Sequence, residues 1–422
     1  MILTRQHGQA AIILVLLLVF GASALVYTMV NPAKLAIEND KKTVEALAQA
    51  KDALIGFATG ADYDIAADKR PGDLPCPDTV GDDGIADGPC DTVRSRIGRL
   101  PWKSLGLPDL RDGSGERLWY AVSTNFKNDA RLSGVPLNSE TPGEYTVNDT
   151  INGTALASVI AVIFSPGQVV GSQNRDSSAA APCATTNTTI ARNLCADNYL
   201  EGGNQDGDAI FTTGQMTDAF NDKLFLLTRI NFFPTVEMRV ARDLRTSLLA
   251  YYSSYGYYPY AAAFTGADWV NGNFRGRIPT AYASPLADLA RPAYFDANDW
   301  HQVMVYAVAP RCTPRLGTFI SPSEILGLGC DPLPSGLFHC GISPDSLNCN
   351  NTATPSYLTV SGDGAIRALI MSAGSGLHGQ ARPCATASTC LEDAENIDAD
   401  DFIYVKPARS SNNNDGLVVV AP

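Results

Sequence analysis

Ten cysteines and several tight clusters of aspartate are the residues whose types and spacing could do chemistry in this chain. The cysteines are Cys76, Cys90, Cys183, Cys195, Cys312, Cys330, Cys340, Cys349, Cys384 and Cys390, all in Gly-, Pro- and Asp-rich, loop-like sequence. Thiols placed this way point to disulfides and to export into an oxidising compartment. Zinc would ask for C-x₂-C pairs or clustered histidine. The chain has no such pair and only four histidines, all scattered. Among the acids, "PDTVGDDGIAD" sets Asp78, Asp82, Asp83 and Asp87 around Gly84. Alternating oxygens about a glycine turn approximate a calcium loop, although the spacing departs from an EF-hand. "DNYLEGGNQDGD" adds Asp206 and Asp208, and "EDAENIDADD" adds Asp398 and Asp400. Calcium is therefore the one cofactor candidate, and solvated turns are the plain alternative.

Catalytic patterns are absent. Ser165 in "FSPG" and Ser372 in "MSAGSG" lie outside a G-x-S-x-G elbow and suit strand-ending turns. No H-E-x-x-H pair and no Gly-rich phosphate cradle occurs. The expectation is a non-enzyme. A net charge of −13 also argues against a nucleic-acid partner, which would need clustered Lys and Arg.

These residues sit on a chain of 422 amino acids, enough for two or three domains. Residues 10–30 are apolar apart from small residues, Tyr27 and Thr28, and Arg5 precedes them. A helix of that length spans a hydrocarbon core of ~30 Å and orients with its basic end inside. A secretory signal cut after Ala22-Ser23-Ala24 is the rival, but the apolar pattern continues past Ala24. After Pro32, a possible kink, Ile37, Val44, Leu47, Leu54 and Ala58 fall on one stripe of an amphipathic helix that stops near Gly60.

Beyond that helix the chain repeats itself. "AKDALIGFA" returns as "ARDLRTSLLAYY", "GRLPW" as "GRIPT", "LWYAVS" as "MVYAVA" and "ASVIAVIFSPG" as "IRALIMSAG". "PCAT…C" occurs twice, and "NDKLFLL" returns as "NDGLVVV". Six matches in one order predict two units, 31–233 and 234–422, each a helix followed by short antiparallel strands and a Cys-bounded loop. The fold class is α+β. Residues 311–350, with four cysteines, form an insert without a counterpart in the first unit. Repeat symmetry predicts Cys76–Cys90, Cys183–Cys195 and Cys384–Cys390. Cys312–Cys330 and Cys340–Cys349 are the local choice in the insert, where four cysteines allow three connectivities.

A short basic leader ending in Gly8, an apolar helix, an amphipathic continuation and a disulfide-looped antiparallel head resemble the type IV pilin and type II secretion pseudopilin superfamily. "ALIGFA", "RPGDLPCPDT", "GRLPW", "VIFSPG" and "FNDKLFLL" are similar to a group of large prepilin-like proteins. The resemblance implies a leader, residues 1–8, cut by prepilin peptidase between Gly8 and Gln9, with the new amine methylated. It implies a retained transmembrane helix over 9–30 and packing of that helix among other pilin or pseudopilin subunits. The head would lie in the periplasm before assembly, anchored in the inner membrane, and on a pilus or the cell surface afterwards. Filament-forming relatives carry Glu five residues into the mature chain, where this sequence has Ile13, and their usual first residue is Phe or Met rather than Gln9. Ile13 cannot receive the amine of a subunit above, which suits a priming or tip position. The alternative is a non-polymerising, membrane-anchored exported module that binds through the 311–350 insert.

Overall fold

A computed structural model describes residues 12–20, 32–60, 70–92, 96–127, 135–183, 188–283, 286–314, 316–317, 330–332, 338–340, 357–377, 379–398 and 401–421. The leader with Gly8 and Gln9, most of the 311–350 insert with Cys349, and Asp400 lie outside them. The first helix, α1, covers 12–20 and is exposed throughout. It is all that is described of the span expected over 9–30. Among the described residues no helix is long and apolar enough to cross a membrane.

Helix α2, Pro32–Gly60, buries Ala46, Leu47, Ala50, Leu54 and Ala58, a spacing that keeps one face turned inward. Its first turns are exposed on one side, while Asp40 is ion-paired to Lys223 on the other. Ile37 is 69% and Val44 57% exposed, so the sequence stripe is only half covered. The reason is the reach of the sheet below. The first covered residue is Thr43, whose Oγ1 accepts from the Gly113 amide at 2.9 Å.

The strands follow as β1 (Ile97–Arg99), β2 (Trp119–Val122), β3 (Tyr145–Asp149), β4 (Thr154–Val159), β5 (Ala161–Ser165), β6 (Ala180–Cys183), β7 (Thr188–Ala191), β8 (Ile210–Thr213) and β9 (Lys223–Leu227). Helix α3, Arg229–Tyr255, comes next, then β10 (Arg275–Arg277), the short helix α4 (Ala293–Ala297) and β11 (Met304–Val308). The insert contributes β12 (Leu316–Gly317), β13 (Cys330–Pro332) and β14 (Phe338–Cys340). The chain closes with β15 (Leu358–Val360), β16 (Asp363–Ile366), β17 (Ala368–Ser372), the short helix α5 (Ala394–Ile397), β18 (Ile403–Tyr404) and β19 (Gly416–Ala421).

Two four-stranded antiparallel sheets share one strand order. The first runs β1-β2-β5-β9 and the second β10-β11-β17-β19. Gly98 pairs with Tyr120 in the first and Gly276 with Tyr306 in the second. Each is flanked by a three-stranded sheet of equal topology: β4-β3-β8 and β16-β15-β18, with one antiparallel and one parallel pairing apiece. Alternation along β2 explains the layering. Tyr120 and Val122 join the core that holds α2 and α3, while Trp119 and Ala121 join a second core with Tyr145, Val147 and Phe211. The helices meet side by side, and Arg239 of α3 donates to the Thr59 carbonyl near the end of α2 at 2.8 Å.

The unit boundary expected at 233/234 falls inside α3. Only Thr228 separates β9 from this helix, and its amide is capped by Asn231 Oδ1 at 2.8 Å. Pro234 is the sixth residue of the helix, inside the hydrogen-bond ladder that the Phe232 amide has already begun on the Thr228 carbonyl, so it leaves the Ile230 carbonyl without its i+4 donor.

Candidate functional site

Three of the expected disulfides are present: Cys76–Cys90, Cys183–Cys195 and Cys384–Cys390, with Cα separations of 5.8, 5.7 and 5.3 Å. In the insert, Cys312 is disulfide-bonded. The β13/β14 ladder puts Cys330 directly opposite Cys340.

The aspartates proposed for calcium are turned to their own loops. Asp87 Oδ2 accepts the Thr79 and Val80 amides at 2.7 and 2.6 Å, and Asp83 Oδ1 accepts the Ile85 amide at 2.9 Å. Asp78 Oδ2 accepts the Gly84 amide at 2.6 Å, and Asp82 is paired to Arg117 at 2.8 Å. Asp206 and Asp208 each accept an amide two residues on. Asp398 offers its backbone carbonyl to Arg275. Among the described residues one group of three potential ligands is compact enough for a metal, Cys183, Cys195 and Asp197, and its two sulfurs are joined to each other. These aspartates therefore do not converge on a shared cation site among the described residues.

The arrangement that does converge is a pair of carboxylate nodes, built identically behind the two Cys-bounded loops. In the first, the Glu201 amide donates to Asp222 Oδ2 at 2.9 Å while Glu201 Oε2 accepts the Asn221 amide at 3.0 Å. In the second, the Glu392 amide donates to Asp415 Oδ2 at 3.2 Å while Glu392 Oε2 accepts the Asn414 amide at 3.1 Å. Each Asn also reaches across to the turn after the sheet's third strand: Asn221 Nδ2 to the Gln168 carbonyl at 2.7 Å, Asn414 Nδ2 to the Ser375 carbonyl at 2.6 Å. An arginine braces each loop to the same turn. Arg175 donates to the Gly167 and Asn198 carbonyls, and Arg382 to the Ala373 and Cys390 carbonyls, all at 2.9–3.0 Å.

Burial governs the charge of these nodes. It pushes Asp222 well above the usual carboxylate range, and nearby Glu201 adds to the rise. It lifts Glu392 to about 8, with Asp415 beside it contributing, and raises Asp415 as well. Two carboxyls this close in a buried place do not both ionise. Calcium would need a shell of oxygens. The groups around Asp222 Oδ2 are instead N–H donors, Glu201 N and Asn204 Nδ2, and around Asp415 Oδ2 they are the Glu392 and Asp393 amides. These donors favour the ionised carboxylate, and burial, the larger effect, outweighs them and raises both carboxyls. The nodes escaped sequence reasoning, although "ND" before each closing strand and a Glu soon after each second loop cysteine marked them.

A second duplicated device is the buried arginine of "GR-[LI]-P". Arg99 Nη2 donates to the Asn193 carbonyl at 3.2 Å, and Arg277 Nη2 to the Cys384 carbonyl at 2.9 Å, so each ties a Cys-bounded loop to the sheet edge. The preceding chain pairs with that edge in both units, through Asp78 with Arg99 and Ala262 with Arg277. The glycine before each arginine permits this approach. A Cβ on Gly98 would lie 2.6 Å from the Asp78 carbonyl oxygen, and one on Gly276 would overlap the Ala262 oxygen.

Comparison with known protein families, curated proteins and solved structures finds no match.

Proposed function

We propose that this chain is a minor pilin or pseudopilin-like structural subunit, with two fused pilin-like heads on one stem, placed at a priming or tip position of a type IV pilus or type II secretion-type filament. The observation that carries the reading is the uncovered start of α2. Leu35, Ile37 and Val44 are exposed on a helix whose later turns are packed in the head. An apolar stripe left open on a helix is a surface for other helices. The apolar residues of α1 precede it along the chain. Ile13 in place of an acid, and the bulk of a doubled head, both favour an end position over the shaft.

The test is the mature N-terminus and the subunit's whereabouts. Mass spectrometry should find N-methylated Gln9, and sheared filaments should contain the chain in trace amounts. Ile37→Asp with Val44→Asp should leave head stability within ~0.5 kcal/mol and remove the chain from filaments. An intact Met1 would favour the membrane-anchored binding module instead, and a start at Leu25 a free secreted protein.

A further inference from the structure

We propose that the open edge of strand β4 pairs with the same edge of a second copy of this chain, antiparallel about a two-fold axis at Leu156. Among the described residues β4 pairs with β3 alone, so its outer side is an open sheet edge. Thr154 to Ala157 are exposed. Leu156 is 48% exposed, although Val147, directly opposite it on the same face, is buried. Sheet edges are normally blunted by charge, by Pro or by shortness. β4 reads Thr-Ala-Leu-Ala-Ser-Val and has neither charge nor Pro.

The second unit has the same edge in blunted form. Its counterpart, β16, is the shorter Asp363-Gly364-Ala365-Ile366, with an acid at its start and a glycine on either side of that acid. Pairing two such edges would bring carboxylates together and offer little side-chain contact at the glycines. A sheet of equal topology is thus built without a long uncharged edge, so the edge on β4 is not a demand of the fold.

Sequence and ladder together select the occupant. About Leu156 the segment reads alike in both directions: Ala155 and Ala157 flank it, then the hydroxyls of Thr154 and Ser158. Antiparallel pairing about that residue sets Leu156 against Leu156, Ala155 against Ala157 and Thr154 beside Ser158 of the second copy, with no like charges facing. The main chain is in phase for it. Thr146 and Thr150 turn their amides to the β8 side, donating to the Ala209 and Thr213 carbonyls at 2.9 and 3.0 Å. Val147 and Asp149, which alternate with them, therefore face β4 and are opposite Leu156 and Thr154. That leaves the N–H and C=O of Ala155 and Ala157 pointing outward. The two-fold joins Ala155 of one copy to Ala157 of the other as a hydrogen-bonded pair on each side of the axis. The two Leu156 residues then meet as a non-hydrogen-bonded pair, with Cα atoms about 4.5 Å apart. One sheet runs through β8-β3-β4 of the first copy and on through β4-β3-β8 of the second. Ser158, at φ 61°, turns the strand away and limits the seam to these residues. So short a seam falls below the roughly 1,200 Å² of stable interfaces and makes a weak dimer.

The pairing does not depend on the filament reading, and its test uses the purified full-length chain in about 0.3 M salt, which screens the −13 charge of each copy. Leu156→Cys should cross-link to itself under mild oxidation, because the paired Cα distance lies within disulfide reach. Among the described residues no native cysteine is free to compete. Ile210→Cys, on the exposed start of β8 at the other edge of the sheet, is the control and should stay monomeric. Ala155→Pro loses an N–H that faces outward, so β3 keeps its partner. Added to Leu156→Cys, it should cut the cross-linked yield at least about tenfold. Hydrogen exchange at the Ala155 and Ala157 amides should slow as the chain is concentrated. Leu156→Asp, at an exposed site, should remove that slowing, which keeps the test open where Ala155→Pro fails to fold. No cross-link from Leu156→Cys, an equal yield from Ile210→Cys, or slowing that survives Leu156→Asp would overturn the proposal. Protection of both amides at every concentration would overturn it too, because another segment of the chain would then cover the edge.

Discussion

Glu392 and Asp415 hold each other across the start of the last strand. The Glu392 amide reaches Asp415 Oδ2 at 3.2 Å, and their remaining oxygens, Glu392 Oε1 and Asp415 Oδ1, are buried without a partner. The same handshake joins Glu201 to Asp222 in the first unit. In both units it closes the Cys-bounded loop onto the strand that ends the sheet.

The nodes make stability pH-dependent in an unusual direction. A carboxyl whose folded pKa is raised binds its proton more tightly in the folded state. Its contribution is complete below the usual carboxylate range and is lost as pH rises through the folded value. For Glu392 that value is about 8, and the raised Asp222 and Asp415 act with the same sign. The melting temperature should therefore fall as pH rises from about 4.5 to about 8. Glu392→Gln, which keeps an acceptor for the Asn414 amide, should flatten the profile. Calorimetry across this range checks both, and a melting temperature that rises with pH would contradict the raised carboxyls.

Calcium should matter little to the head. Asp78 and Asp87 accept backbone amides, Asp82 is paired to Arg117, and both nodes are ringed with N–H donors. A ligand that binds only the folded state raises the melting temperature. Melting curves in EGTA and in millimolar calcium should superimpose, and an upward shift in calcium would show a site elsewhere.

Gly98→Ala and Gly276→Ala should each destabilise by about 1–3 kcal/mol, the cost of overpacking against backbone that cannot turn aside. The affected oxygens belong to Asp78 and Ala262. Urea unfolding measures the loss. Gly153→Ala is a control with open space around it, where only the left-handed backbone at φ 64° opposes a side chain.

Non-reducing peptide mapping should recover Cys76–Cys90, Cys183–Cys195 and Cys384–Cys390. The same map reads the insert, where Cys312–Cys330 and Cys340–Cys349 are the expected pairs among three connectivities. Replacing Cys183 and Cys195 together by Ser should cost roughly 2–3 kcal/mol, as expected for loops of this size.

The repeat made the main sheets legible. "GRLPW" and "GRIPT" lead into the turns after β1 and β10, "LWYAVS" and "MVYAVA" lie on β2 and β11, and the "ND" segments open β9 and β19. The central strands β2, β5, β11 and β17 are buried on both faces, so apolar runs betray them. The flanking sheets were not visible. β4 is exposed for most of its length, and β8 and β18 pair in parallel with distant partners, so neither periodicity nor proximity marks them. Ile37 and Val44 share the sequence stripe of Leu47, Leu54 and Ala58 but stay exposed, because a helical stripe records which face is apolar and not which part of it is covered. Glu201 and Glu392 were missed for a related reason. Their burial comes from folding a polar loop onto a strand some twenty residues away, which no local pattern announces.

The single residue between β9 and α3 has a mechanical consequence. A tether of one residue, Thr228, leaves no slack where the halves join. The halves are also pinned from the side. The Leu137 amide donates to Asn298 Oδ1 at 3.0 Å, Asn138 Nδ2 to the Asn298 carbonyl at 2.9 Å, and Ser139 Oγ to the buried Glu237 of α3. A pull on α2 is therefore shared between both units at once, and the two bear load as a single strut rather than as two beads on a string.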